Sequence, residues 1–122
     1  MGSSFINVGD KSVILVDCTN KTPEDFEEIY ATLQEARDMM ASAADKSVYL
    51  ITDLTKSKIN PELVTAFNDF SSAITKYIRQ SVLVGLSDHH KIIVSIFRKL
   101  HKRDFFIVDT LDDAKTYMSF AK

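Results

Sequence analysis

Four times along the chain, a short and almost wholly apolar run is followed by a longer segment whose apolar residues recur every three or four positions. The runs are residues 13–17 (VILVD), 48–52 (VYLIT), 81–86 (SVLVGL) and 105–108 (FFIV). A run of that length without polar alternation fits a strand buried on both faces, as in a parallel sheet. Strands joined through a helix lie parallel, with right-handed crossovers. The pattern therefore predicts an open α/β fold with a four-stranded parallel sheet built from four βα units. A shorter run, residues 5–8 (FINV), precedes the first and is separated from it by GDKS. Gly-Asp with a polar pair suits a hairpin turn, so an N-terminal antiparallel edge strand is predicted.

The helix starts carry their own signals. Thr22 is a good N-cap, Pro23 suits the first helical position, and Asp25 completes a near capping box. Its apolar stripe is Phe26, Ile29, Tyr30, Leu33, Ala36 and Met40, one buried face. Asn60 and Pro61 open a second helix, with the stripe Leu63, Phe67, Phe70, Ile74 and Tyr77/Ile78. Ser87 or Asp88 caps a third, through Ile92, Ile93, Ile96, Phe97 and Leu100. Thr110 with Asp113 opens a short C-terminal helix through Ala114, Tyr117 and Met118.

A length of 122 residues suits one domain, here taken as residues 1–122. A chain of this size needs no disulfide or metal staple. Its 15 basic and 17 acidic residues leave a net charge of −2, which argues against broad nucleic-acid binding. The single cysteine, Cys18, ends an apolar run and reads as a small core residue in a reducing, cytoplasmic setting. No run approaches the roughly 20 apolar residues of a membrane span, and the start MGSSFINVGD lacks the basic and apolar regions of a signal peptide.

Three stretches resemble a known family. VYLITDLTKSKI is similar to the strand and loop of STAS domains, the anti-sigma-factor-antagonist-like fold. SVLVGLSDHHKII resembles the next strand and helix start of small SpoIIAA-like bacterial proteins, and FFIVDTLDDAKTYM resembles their ending. Element order and spacing agree over residues 5–121. The resemblance implies a SpoIIAA/STAS-like sheet and a non-catalytic regulatory domain, needing no cofactor, that binds another protein such as a regulator, kinase or sensor. In the antagonists, a serine at the helix start after the second parallel strand is phosphorylated, and the added charge breaks the complex. That position falls near Pro61 or Glu62 here, and neither can be phosphorylated. Ser57 and Thr55 lie earlier in the loop. Glu62 puts a fixed negative charge near the helix N-terminus, where it is favourable.

The interaction surface implied is the loop 55–60, with Thr55, Lys56, Ser57, Lys58 and Asn60, and the adjoining helix from 61 to 78. On that helix Glu62 stands at the start, and Asn68, Asp69, Ser72 and Lys76 are expected to face outward. A second candidate is an acidic site: Asp17, Asp53 and Asp109 each end a parallel strand, the edge where open α/β sheets bind ligands. Three carboxylates there could hold Mg²⁺, with Asp53 as a receiver-like phosphoacceptor. The first strand lacks a receiver's acidic pair and the last lacks its lysine. Asp after a strand is also a common cap for loop N–H groups.

A third reading is a small-molecule module for lipid or nucleotide, with Phe67, Phe70, Phe97, Phe105 and Phe106 lining a pocket; a packed core is the competing account. His89, His90 and His101 lack zinc-ligand spacing, so no metal is expected. The basic stretch 98–103 (RKLHKR) suits a helix C-terminus, the alternative being a basic patch for an anionic partner, lipid headgroup or nucleotide. No Gly-rich phosphate loop or G-x-S-x-G elbow is present. The edge strand at 5–8 could pair with a second copy to make a homodimer.

Overall fold

The structure is a computed structural model, and it describes residues 2–87 and 106–121. Its sheet has five strands in the order β1-β2-β3-β4-β5: β1 (Ser3–Val8), β2 (Lys11–Asp17), β3 (Val48–Asp53), β4 (Ile78–Val84) and β5 (Phe106–Val108). β1 is antiparallel to β2, and the remaining neighbours are parallel. The turn between β1 and β2 rests on Gly9, at φ 63°, a left-handed conformation that glycine adopts without a Cβ penalty. Helices α1 (Phe26–Met40), α2 (Pro61–Ile74) and α3 (Leu111–Phe120) complete the described fold. The predicted α/β architecture, with its antiparallel first strand, is the one observed.

Side-chain alternation divides the sheet into two dry faces. Ile14, Val16, Leu50 and Leu83 face α1 and α2, meeting Ile29, Leu33, Met40, Leu63, Phe70 and Ile74. Val13, Ile51, Val82 and Val84 face the other way, against Ala114 and Met118 of α3. The strands read as continuous apolar runs because both faces are covered.

Local signals start the helices as expected. The Thr22 N–H donates to the Asp25 carboxylate at 2.9 Å, and a short 3₁₀ turn at Pro23–Asp25 leads into α1. The Asn60 side chain accepts from the Leu63 N–H at 2.9 Å, with Pro61 next to the cap. Thr110 accepts from the Asp113 N–H at 3.1 Å.

One boundary and one grouping depart from the expectation. The apolar stripe predicts a helix through Tyr77/Ile78, but α2 ends at Ile74, a 3₁₀ turn follows at Thr75–Tyr77, and Ile78 already pairs with Val48 in β4. Ile78 is apolar for the sheet and happens to fall in helical phase. The Phe67/Phe70/Phe106 grouping also separates. Phe70 and Phe67 pack on the α1–α2 side, whereas Phe106 stacks on Tyr117 of α3 at 4.0 Å, half-exposed on the opposite face. Phe97, Phe105, the three histidines, the third helix and the basic stretch 98–103 lie outside the described residues.

Candidate functional site

At the C-terminal edge of the parallel strands, β2 and β3 end in the same local structure. The Asp17 Oδ1 accepts from the Thr19 N–H at 3.0 Å and the Thr19 hydroxyl at 2.7 Å. The Asp53 Oδ1 accepts from the Thr55 N–H at 3.0 Å and the Thr55 hydroxyl at 2.6 Å. One residue further on, Asn20 and Lys56 both turn left-handed, at φ 58° and 59°. Each Asp-x-Thr is thus an Asx turn that satisfies the loop N–H and redirects the chain.

The two turns lie side by side because Asp17 pairs with Asp53 in the parallel register. Backbone bonds continue the ladder past the strands. Cys18 N donates to Asp53 O at 2.9 Å, Asn20 N to Thr55 O at 2.9 Å, and Lys58 N to Lys21 O at 2.8 Å. Leu54 N donates to Val84 O and Gly85 N to Val108 O, so the lip runs across β4 to β5. Gly85 has φ 74°, and a Cβ there would lie 2.3 Å from Thr55 Oγ1 and 2.7 Å from its Cα. Only glycine permits that approach.

The predicted loop residues separate by orientation. Lys56 and Lys58 are exposed, Thr55 and Asn60 are half-buried, and Glu62 is exposed in the first turn of α2. Ser57, expected among the surface residues, points inward at 9% exposure. Its hydroxyl donates to the Cys18 carbonyl and accepts from the Lys21 N–H at 3.3 Å, tying the two loops together. On α2, Asp69 and Ser72 face outward as expected, and so does Lys76, which lies just beyond the helix. Asn68 does not: it is half-buried, and its Oδ1 is buried without a hydrogen-bond partner among the described residues. It flanks the buried stripe of α2 instead of opposing it.

The three strand-end acids do not form one group, although Asp17 and Asp53 are register partners. Asp17 is exposed, Asp53 is buried at 7%, and Asp109 is exposed beyond β5, with β4 between it and Asp53. Among the described residues, no three His, Cys, Asp or Glu side chains group as a metal site. By strand alternation Asp17 and Asp53 leave the sheet on the side of Val13 and Ile51, the α3 face. Cys18 and Leu54 turn to the α1–α2 side. Cys18 is 1% exposed, and burial, with Asp17 adding to it, pushes its thiol up to about 12. The Lys21 ammonium bonds Glu28 at 2.6 Å, which raises its pKa.

Sequence reading could name the Asp, Thr and Lys residues, but not the Ser57 tie, which spans 39 residues to Cys18. No family model matches the chain, and no curated protein matches it. A solved structure does: an uncharacterised protein from the DUF3478 family with a SpoIIAA-like fold, from Shewanella loihica. The two chains superpose with a TM-score of 0.69 at 14% identity, over 94% of this chain and 90% of that one. The chain therefore has a SpoIIAA/STAS-like fold. No helix among the described residues is long and apolar enough to cross a membrane.

Proposed function

We propose that this is a non-catalytic regulatory domain that binds another protein through the loop 55–60 and the exposed side of α2. The observation that carries the reading is the fixed display of Lys56 and Lys58. They are exposed, while Thr55 O, Ser57 Oγ and Lys58 N are all bonded to the neighbouring loop. A backbone held in this way loses little freedom when a partner docks, which favours binding. The outward residues Glu62, Thr65, Asp69 and Ser72 continue the surface along α2. A phosphoserine switch has no support at the helix start, where Asn60 caps and Pro61 and Glu62 follow.

An affinity pull-down with wild type and Lys58→Glu tests this surface. The partner recovered with wild type is expected to be lost with the variant. Unchanged recovery would move the interface elsewhere.

A further inference from the structure

Strand β1 forms one edge of the sheet, and the phase of its pairing shows which of its backbone groups are unused. Asp17 N donates to Gly2 O at 2.7 Å, one step beyond the pairing of Ser3 with Val16. In an antiparallel ladder, residues that exchange bonds alternate with residues that do not. Gly2, Ser4, Ile6 and Val8 therefore turn their backbone groups to β2, and Ser3, Phe5 and Asn7 turn theirs outward. α1 takes the first outward donor, since Ser3 N bonds Glu35 Oε1 at 2.7 Å. Among the described residues, Phe5 and Asn7 make no outward backbone bond. The Phe5 side chain is 59% exposed, on the α1 side of the sheet opposite Ile14. Residues 3–8 hold no charge and no proline, and their register with β2 runs without a bulge. Charges, prolines and bulges are the devices with which natural sheets keep an edge from pairing, and β1 has none of them.

This edge matches itself. Laid antiparallel about a two-fold axis at Phe5, two copies set Phe5 opposite Phe5 and Ser3 opposite Asn7. The outward phase makes the two Phe5 residues a hydrogen-bonded pair that exchanges both bonds. The Asn7 N–H of each copy meets the Ser3 carbonyl of the other, and the Glu35 bond to Ser3 N is left in place. The exposed Phe5 rings meet as a cross-strand aromatic pair, and polar Ser3 faces polar Asn7. The Ser3 ends, where the Glu35 carboxylates sit, lie about 14 Å apart along the strands, beyond a Debye length at physiological salt. Their like charges therefore oppose the pairing little. We propose that β1 pairs with β1 of a second copy, joining the two sheets into one. The pairing uses about five residues a side against the 20–30 of a standard interface, so dissociation is expected on the order of 100 µM. It does not use the loop 55–60, so it stands or falls independently of the protein-binding surface.

Sedimentation velocity of the full chain, from about 5 to about 500 µM, tests the pairing. A shift from monomer to dimer across that range is expected, and exchange of the Phe5 and Asn7 amide hydrogens should slow with it. Phe5→Lys changes a residue that stands largely in solvent and sets two ammonium groups opposite each other. It should weaken the dimer about tenfold or more. Asn7→Pro removes an outward donor and leaves the bonds to β2 in place, and should weaken the dimer about tenfold. A chain that stays monomeric at about 500 µM overturns the proposal and leaves the edge to a strand from a different protein. So does a dimer that either variant leaves unchanged, or one in which the Phe5 and Asn7 amides exchange as fast as in the monomer, because another surface then holds it.

Discussion

Asp17 at the end of β2 and Asp53 at the end of β3 hold the same two groups of a threonine two residues on, but Asp17 does so in solvent and Asp53 at 7% exposure. The local sequence, Asp-Cys-Thr-Asn against Asp-Leu-Thr-Lys, dictates the shape of both turns. Position in the sheet dictates what each is worth. β2 lies next to the edge strand, whereas β3 is central, with β2 and β4 on either side. Water can replace the bonds that Asp17 makes. It has little access to those of Asp53, and a buried donor left without a partner is costly.

The strongest way to break the comparison is through Gly85, which approaches the Asp53 turn alone. Gly85→Ala combines a left-handed backbone with a Cβ pressed against Thr55, and should cost about 3 kcal/mol. A lower urea midpoint at unchanged slope would register it. A near-neutral result would mean that the Thr55 backbone can withdraw. Next comes the direct contrast. Asp53→Ala should lose about 2 kcal/mol, with the part-buried Thr55 bonds, against about 0.5 kcal/mol for Asp17→Ala. Equal losses in the same denaturation assay would show that burial does not separate the turns.

A further contrast, confined to alkaline pH, concerns the middle residues, Cys18 and Leu54, which both enter the α1–α2 core. The Cys18 thiol is raised from 9.0 to about 12 in the folded state, so the folded chain holds its proton where the unfolded chain has lost it. Its contribution to stability is full below pH 9.0 and declines as pH rises toward about 12. Thermal unfolding of wild type against Cys18→Ala across that range should converge as pH rises. Parallel curves would put water at the thiol, and the core side of the Asp17 turn would then be wetter than that of its neighbour.

Much of this architecture is legible in the sequence because it is local. VILVD and VYLIT are strands buried on both faces, and Thr22, Asn60 and Thr110 mark helix starts through contacts three residues long. The Asp-x-Thr turns belong to the same local class. Ser57 was not legible as an inward residue, because its partners, Cys18 and Lys21, come from a different loop. Ile78 was misplaced because one apolar residue satisfies a helix and a strand pattern equally, and only its pairing with Val48 decides.

The order β1-β2-β3-β4-β5 has a kinetic meaning. Each strand pairs with its neighbour in sequence, so the sheet can assemble in the order of synthesis, closing one crossover at a time. Each parallel pair still has to close a crossover before its contacts form, which makes such a sheet slower to assemble than a helical bundle. The exception is α3, the last described element, whose Ala114 and Met118 share a cluster with Val8 of the first strand and Val13 of the second. That contact joins the two ends of the chain across one face. Without it, Val13, Ile51, Val82 and Val84 would lack their α3 cover, so α3 is what keeps that face of the sheet from meeting other chains.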